Sequence, residues 1–252
     1  MRSNRSGRAL ALAMVLALWG TGVHAQGVTW TVDGRTSLAW WQVSPYRHLL
    51  WGTTCPEDPS WRPGEGASQS ASKDPFQRAA NDTGYARHVN RRAGSPCGEG
   101  VGGAIVTSDT TGWQGVRGTI VLKANALVTG LDMRDAYARK TVLETARYPE
   151  IRFTIDSLVQ VQSSESIRAL AVGTFELRGV REPMTVPIRA SRCATGIRIR
   201  AAFEIRVRDL IRRYGVSGDV LSLAVQSGMW KAIEVGVNVV LTPAATAIVA
   251  TH

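Results

Sequence analysis

Apolar and polar residues alternate along much of the chain, and this alternation predicts a protein made of β-strands. The clearest run extends from Ile197 to Arg208, where every second residue is apolar and most residues between them are charged. Successive side chains of a strand point to opposite faces, so such a run has one dry face and one wet face. In the last run of the chain, Glu234 and Asn238 are predicted to point outward. Similar runs occupy residues 28–32, 37–43, 104–108, 115–128, 151–156, 174–178, 184–189 and 232–242. Roughly eight or nine such strands predict an all-β, antiparallel barrel or sandwich.

Other segments depart from this pattern. Residues 129–146 change to a helical spacing of apolar positions, which predicts one or two short helices. Gly179 stands between two alternating runs and marks a turn. Residues 220–225 form a further, shorter extended run. Trp40 and Trp41 are adjacent in a predicted strand, so one of them should be exposed unless another segment covers it.

A long stretch of different composition lies between the first strands and the rest. Residues 45–103 are rich in Gly, Pro, Ser, Arg and Asn, and we interpret them as a loop insertion partly ordered against the barrel. The cysteines are Cys55, Cys97 and Cys193, which allow three single pairings. We favour Cys55–Cys97 because both lie in this stretch, with Cys193 left over at a turn between two strands. Closing a loop of about 43 residues would stabilise it by up to ~4 kcal/mol.

The N-terminus reads as a cleaved signal peptide spanning residues 1–25. Arg2, Arg5 and Arg8 precede an apolar run at residues 9–20, and Val23-His24-Ala25 offers small residues for cleavage before Gln26. A run of this length is too short for a bilayer span, which needs about 20 residues. A signal anchor is the alternative. We therefore expect a periplasmic or secreted protein, with a β-barrel domain at 26–243 and a C-terminal tail at 244–252.

The chain is basic, with a formal net charge of +10. Such a charge is compatible with contact to anionic lipid headgroups or nucleic acid. The arginines, however, alternate with core residues along the strands instead of forming a tract. This pattern favours solvated strand faces, so no nucleic-acid partner and no membrane span are expected.

Several short motifs occur in the order that is typical of one family. They are Trp30-x-Val32-Asp33 with Ser37, Thr129-Gly130, Met133-Arg134-Asp135, Tyr148-Pro149-x-Ile-x-Phe153, and Gly173 to Val180 followed by Pro183. In this order the chain resembles the YceI-like family, whose members are lipocalin-like barrels, several of which bind polyisoprenoid lipids. The sequence departs from the family at Tyr137, where members commonly carry a histidine. The resemblance implies a lipocalin-like barrel.

The resemblance also implies an apolar tunnel that holds a long ligand. Its wall would be formed by inward residues of the strands, namely Phe153, Ile155, Phe175, Leu177, Ile199, Phe203, Ile205, Val237 and Val239. Burial of each methylene contributes ~0.8 kcal/mol, whereas association costs about 4–15 kcal/mol. A ligand therefore needs about ten or more buried carbons, as in a polyisoprenoid or a similar lipid. We expect non-catalytic binding or carriage of such a ligand.

A filled barrel is the alternative, because small barrels can close on their own side chains. The protein would then be a periplasmic interaction or structural protein. An aromatic surface patch of Trp51, Trp61, Trp113 and one residue of the Trp40–Trp41 pair would be its partner site. For these side chains we favour the other interpretation, a small core beneath the insertion. Homo-oligomerisation is left open.

Catalytic and metal-binding patterns are weak. The chain has no Gly-x-Ser-x-Gly and no Cys-x-x-Cys, and beyond the signal its histidines are His48, His88 and His252. Asp132 and Asp135 could share a helix face. We interpret them as solvated or helix-start carboxylates in preference to an acid/base pair. Scattered candidates for a metal lie in or beside the insertion, namely His48, Cys55, Glu57, Asp58, His88 and Cys97. We expect no enzymatic activity, no cofactor and no metal site.

Overall fold

The computed structural model describes residues 27–44, 51–54, 100–108, 113, 115–128, 132–163, 166–218, 226, 228 and 230–244. Its strands are β1 (Val28–Val32), β2 (Leu38–Ser44), β3 (Trp51–Thr53), β4 (Val101–Thr107), β5 (Arg117–Lys123), β6 (Glu150–Ser163), β7 (Ile167–Leu177), β8 (Val180–Cys193), β9 (Gly196–Arg206) and β10 (Ala232–Pro243). Its α-helices are α1 (Asp132–Tyr137) and α2 (Val207–Tyr214). A 3-10 turn follows β5 at Ala124–Ala126, and a π-helical turn follows α1 at Ala138–Val142.

The strands form a closed antiparallel barrel. Each strand from β4 to β10 pairs with the next one along the chain, and β1 pairs with both β4 and β10 to close the sheet. β1 and β2 both pair with the same edge of β10, β1 near the C-terminal end of that strand and β2 near its N-terminal end. Together they therefore fill one of the eight strand positions of the barrel. Within the described ranges, β3 is the extra strand and pairs with β2. The predicted all-β, antiparallel barrel of about eight strands is confirmed.

Asp33 and Ser37 explain how the chain steps from β1 to β2. Asp33 accepts hydrogen bonds from the Arg35 amide (3.0 Å) and from the Thr36 hydroxyl (2.7 Å), the pattern of an Asx turn. The Ser37 hydroxyl accepts from the amide of Val240 at 2.9 Å. This last bond fixes the turn against β10, so the motif residues hold the register at the seam of the barrel.

Two apolar clusters divide the interior along the barrel. One gathers the ends of β8, β9 and β10 around residues such as Ala190, Ile197 and Leu241. The other joins the opposite ends of β7 and β9 to α2 through Leu177, Ile205 and Leu210. We call the end that carries α1 and α2 the helix end.

The helix α2 corrects the sequence prediction that one strand runs from Ile197 to Arg208. The strand β9 ends at Arg206, and the chain then turns helical. The apolar residues Val207, Leu210, Ile211 and Tyr214 follow a spacing of three and four, and three of them are buried. The alternation of β9 masks the change, because Val207 fits both patterns.

The region around the insertion also differs from its prediction. The expected strand at 115–128 ends at Lys123, and residues 45–103 contain β3 and the start of β4. Glycines in the β4 sequence VGGAIVT hide its alternation. Thr53 of β3 exchanges backbone hydrogen bonds with Val128, both at 2.9 Å, which anchors this part of the insertion.

The predicted turn and short helices are confirmed. Arg178 and Gly179 connect β7 to β8 with φ angles of 51° and 73°. Two consecutive positive φ angles are the signature of the hairpin turn that matches strand twist. The helical segment at 132–142 lies inside the predicted range. Cys193 ends β8 at a turn and is a free thiol.

Several predictions lie outside the described residues. These are the signal peptide at 1–25, the Cys55–Cys97 disulfide, most of the insertion, the run at 220–225, and the tail beyond Ala244. No helix in the described part of the chain is long and apolar enough to cross a membrane.

Candidate functional site

A cavity of about 510 Å³ lies inside the barrel. This volume falls in the range of roughly 300–1,000 Å³ that is usual for ligand pockets. The inward faces of the strands supply most of its wall, and the helix end supplies the rest. The barrel is therefore not filled by its own side chains.

All nine residues of the predicted wall line this cavity. They come from four strands, and they are Phe153, Ile155, Phe175, Leu177, Ile199, Phe203, Ile205, Val237 and Val239. The alternation within each strand was sufficient to find them, because one face of a barrel strand always points inward. Their role as ligand contacts belongs to the proposal below.

Small inward residues help to explain why the barrel has free space. Ala171 of β7 and Ala201 of β9 lie on the cavity wall. An eight-stranded barrel is just wide enough for its side chains to fill, so alanine at inward positions leaves volume unoccupied. Ala190 of β8, directly opposite Ile199, is inward and buried in the same core cluster, but it is not part of the cavity wall.

Many further wall residues were not among the predicted nine. They come both from other strand positions, such as Ile120, Val186 and Val235, and from less regular segments. They include Trp41, Trp113, Val116 and Leu127, then Tyr137, Ala138, Val142 and Leu143 of the segment after β5, and Leu210, Val216 and Trp230 near α2. Helical periodicity would have shown that these segments have an apolar face, but it does not tell which part of the barrel that face covers.

Comparison with known proteins agrees with this architecture. The YceI-like domain family matches residues 90–241, which is more than half of the chain. The chain belongs to the YceI-like family. None of the curated protein sequences compared with it matches.

Two solved structures share the YceI-like barrel at low sequence identity. One is a polyisoprenoid binding domain from Saccharophagus degradans implicated in plant cell wall breakdown. It is 15% identical, with a TM-score of 0.52, over 86% of this chain and 99% of that chain. The other is BcnA from Burkholderia cenocepacia, which is 10% identical, with a TM-score of 0.54, over 82% of this chain and 98% of that chain. At these identities the likeness concerns the fold.

The cavity of this YceI-like chain is almost entirely apolar. Among the described residues, Arg134 and Arg152 are the charged members of its wall, and no carboxylate, imidazole, thiol or aliphatic hydroxyl side chain lines it. Arg152 pairs with Glu150 at the barrel surface. An apolar cavity of this kind disfavours a polar ligand, because burying unpaired polar groups is costly.

Tyr137, which stands where family members commonly carry a histidine, lines the cavity with its ring. Its hydroxyl is buried and has no hydrogen-bond partner among the described residues. A Cβ atom at Gly218 would lie 2.2 Å from this oxygen, so the close approach requires glycine there. The hydroxyl is thus packed against the chain after α2.

Phe175 connects the cavity wall to α2. Its ring meets that of Phe203 edge-on, with centroids 5.8 Å apart, and meets Tyr214 of α2 at the same distance. Such edge-to-face pairs contribute about 0.5–1.5 kcal/mol beyond the burial of area. Burial raises the pKa of Tyr214 above its usual value of 10.0, and the nearby Glu182 carboxylate adds to the rise.

Neither residue of the Trp40–Trp41 pair is exposed. Both residues border the cavity, and Trp40, which lies beside Gly236 of β10, is buried. Trp113 packs against the core and also lines the cavity, so it does not belong to a surface patch. The side chain of Trp51 and all of Trp61 lie outside the described residues.

Some polar side chains are more buried than the sequence predicted. Glu234 and Asn238 do face outward, yet both are buried, and Asn238 is 0% exposed. Glu234 accepts a hydrogen bond from the Gln42 amide at 2.6 Å. Asp135, interpreted as a solvated or helix-start carboxylate, lies in α1 and is only 6% exposed. The alternation gives the direction of a side chain but not what covers that face.

Metal ligands do not cluster in the described part of the chain, where no group of three or more His, Cys, Asp or Glu residues is found. The scattered candidates His48, Cys55, Glu57, Asp58, His88 and Cys97 all lie outside the described residues.

Proposed function

We propose that the protein binds a long apolar ligand, a polyisoprenoid or a similar lipid, in the barrel cavity and carries it without chemical change. The observation that carries this proposal is the apolar cavity of about 510 Å³. The nine predicted wall residues are proposed as ligand contacts. The likeness to a structure described as a polyisoprenoid binding domain supports the ligand class.

The energetics favour a long hydrocarbon. Burial of about ten methylenes contributes ~8 kcal/mol at ~0.8 kcal/mol each, which is comparable with the 4–15 kcal/mol that association costs. A short acyl group would not offset that cost. The described wall has no carboxylate, imidazole, thiol or aliphatic hydroxyl side chain, which supports binding in preference to catalysis.

The carrier would act outside the cytoplasm, in the periplasm or after secretion, with the barrel domain at 26–243. The N-terminal pattern of basic residues, apolar run and small residues supports export. N-terminal analysis of the protein recovered from its producing cells should find Gln26 first. A protein that retains residues 1–25 would contradict the export proposal.

Two identical substitutions on neighbouring strands test the binding site. Ala201 lies on the cavity wall and is 8% exposed, whereas Ala190 is 0% exposed and is not part of the cavity wall. Ala201→Phe should therefore fill free space and reduce lipid content, while the delipidated protein keeps its stability. Ala190→Phe overpacks a closed region and should lower the free energy of unfolding by about 1–3 kcal/mol.

Urea denaturation of delipidated proteins and lipid extraction from untreated ones give the two readouts. Delipidation matters because a bound ligand itself raises apparent stability. If Ala201→Phe destabilises as strongly as Ala190→Phe and leaves the lipid content unchanged, the cavity is not the binding site.

A further inference from the structure

The lip of the cavity carries an apolar side chain in water. Met133, on α1, lines the cavity and is 89% exposed. A single exposed apolar residue is ordinary on a protein surface. It lies at the helix end, however, whose two segments carry a net positive charge.

Two segments of the helix end are basic. Residues 132–148, from the start of α1, have a net charge of +1, and residues 206–218 have a net charge of +3. On α2, Arg208 and Arg212 are one turn apart and exposed, whereas Leu210 points into the core. Several cations of these two segments have no ion pair among the described residues, and they include Arg139, Lys140, Arg206, Arg208 and Arg212.

These two basic segments adjoin one another at the helix end. Arg178, whose side chain is 10% exposed, pairs with Glu144 and donates hydrogen bonds to the carbonyl oxygens of Val142 and Gly215. It thereby ties the chain after α1 to the chain after α2. The close contact between Gly218 and Tyr137 joins the same two segments. We call the surface formed by Met133 and the five cations named above the basic lip.

We propose that the basic lip docks onto the surface of an anionic lipid bilayer, with Met133 entering the headgroup region. Cations near an anionic leaflet are attracted electrostatically, and apolar side chains add burial at the interface. The arrangement fits a bilayer because charge and apolar surface meet at the opening of an apolar cavity. The docking proposal depends on the proposed function in one respect only, which is that docking would let the ligand pass between the bilayer and the cavity.

Vesicle sedimentation with the full-length mature protein tests the docking. We expect binding to vesicles of phosphatidylcholine mixed with phosphatidylglycerol and little binding to phosphatidylcholine alone. Raising the salt from about 0.1 M to about 1 M, which shortens the screening length from about 10 Å to about 3 Å, should weaken the binding. Equal binding to both kinds of vesicle would overturn the proposal.

Variants locate the surface. Arg208→Gln with Arg212→Gln should lower the vesicle partition coefficient roughly fivefold per residue, the factor that corresponds to about 1 kcal/mol per cation. Met133→Ser should weaken binding without changing its salt dependence. Thermal melts of each variant confirm that the fold is intact.

Another group of arginines provides a demanding control. Arg168, Arg189 and Arg200 lie directly opposite one another across β7, β8 and β9, on the outer wall. Arg168→Gln with Arg200→Gln removes the same charge as the lip variant and should leave vesicle binding unchanged. If this control loses as much binding as the lip variant, net charge and not the lip is responsible. Single-stranded DNA tests the choice of partner. If it binds the protein as tightly as the anionic vesicles do, and the vesicles displace it, the choice of a bilayer would also be overturned.

Lipid content measured in the same preparations separates the two proposals. A protein that contains lipid but ignores anionic vesicles ends the docking proposal and leaves ligand binding intact. A protein that binds the vesicles through its lip but never contains lipid ends the carrier proposal alone.

Discussion

The ring of Phe175 in the cavity wall meets the ring of Tyr214 in α2 edge-on, with centroids 5.8 Å apart and planes at 84°. Phe175 thus belongs to the barrel wall and to the packing of the helix end at once. A change in the cavity wall at this position reaches α2 directly, and α2 carries two cations of the basic lip.

Phe175→Leu should loosen α2. The substitution removes two aromatic pairs, each worth about 0.5–1.5 kcal/mol, so we expect the free energy of unfolding to fall by about 1–3 kcal/mol and amide exchange in α2 to accelerate. Phe153→Leu is the matched control, because Phe153 lies opposite Phe175 on β6 and lines the cavity. Equal acceleration of α2 in both variants would show that the ring pair is unimportant.

The raised pKa of Tyr214 predicts that the folded protein loses stability in alkali. Its folded-state pKa is raised above the unfolded value of 10.0, chiefly by burial. The unfolded chain therefore releases the phenolic proton first, and the stability that the neutral phenol contributes is lost as the pH rises above about 10. Urea titrations between neutral pH and about pH 11 should show a smaller decline for Tyr214→Phe than for the parent. Parallel declines would contradict the assignment.

Gly236 is required by the ring of Trp40. A Cβ atom there would lie 2.2 Å from that ring, so Gly236→Ala should overpack the site and lower the free energy of unfolding by about 1–3 kcal/mol. Gly102→Ala is the control in strand β4, where a Cβ meets nothing within 4 Å. Chemical denaturation of both variants gives the comparison, and a neutral Gly236→Ala would place Trp40 elsewhere.

The strands could be predicted from the sequence because period-two alternation survives wherever one face is buried. Ile197 to Ile205 in β9 is the best example, and the nine wall residues follow from the same reasoning. The helix α2 could not be predicted from that alternation, since Val207 satisfies both the strand and the helix pattern. The outward but buried positions of Glu234 and Asn238 depend on what covers the sheet, and period alone carries no information on that.

The candidate site was predictable only in part for a related reason. Strand residues reveal their face locally, whereas the contributions of Met133, Tyr137 and Leu210 depend on where the helices pack. The basic lip is also invisible in the linear sequence. Its cations are separated by about 70 residues along the chain, and the contact between Gly218 and Tyr137 brings their segments together.

The pairing of the cysteines stays a prediction. We expect a Cys55–Cys97 disulfide, with Cys193 as the free thiol that the structure shows. Non-reducing peptide mapping of the exported protein will identify the bonded pair. Removing that bond should destabilise the protein by up to ~4 kcal/mol if it closes the long loop. A disulfide from Cys193 to either partner would contradict the pairing.

The central claim is that the barrel holds a long apolar ligand, and native mass spectrometry of the protein purified without detergent tests it most directly. We predict a complex of one protein with one lipid, whose extracted ligand has a hydrocarbon portion of about ten carbons or more, as the balance of burial and association requires. The ligand should be depleted in Ala201→Phe and retained in Arg168→Gln. A parent protein of bare polypeptide mass, which also fails to take up added polyprenol after refolding in its presence, would contradict the account.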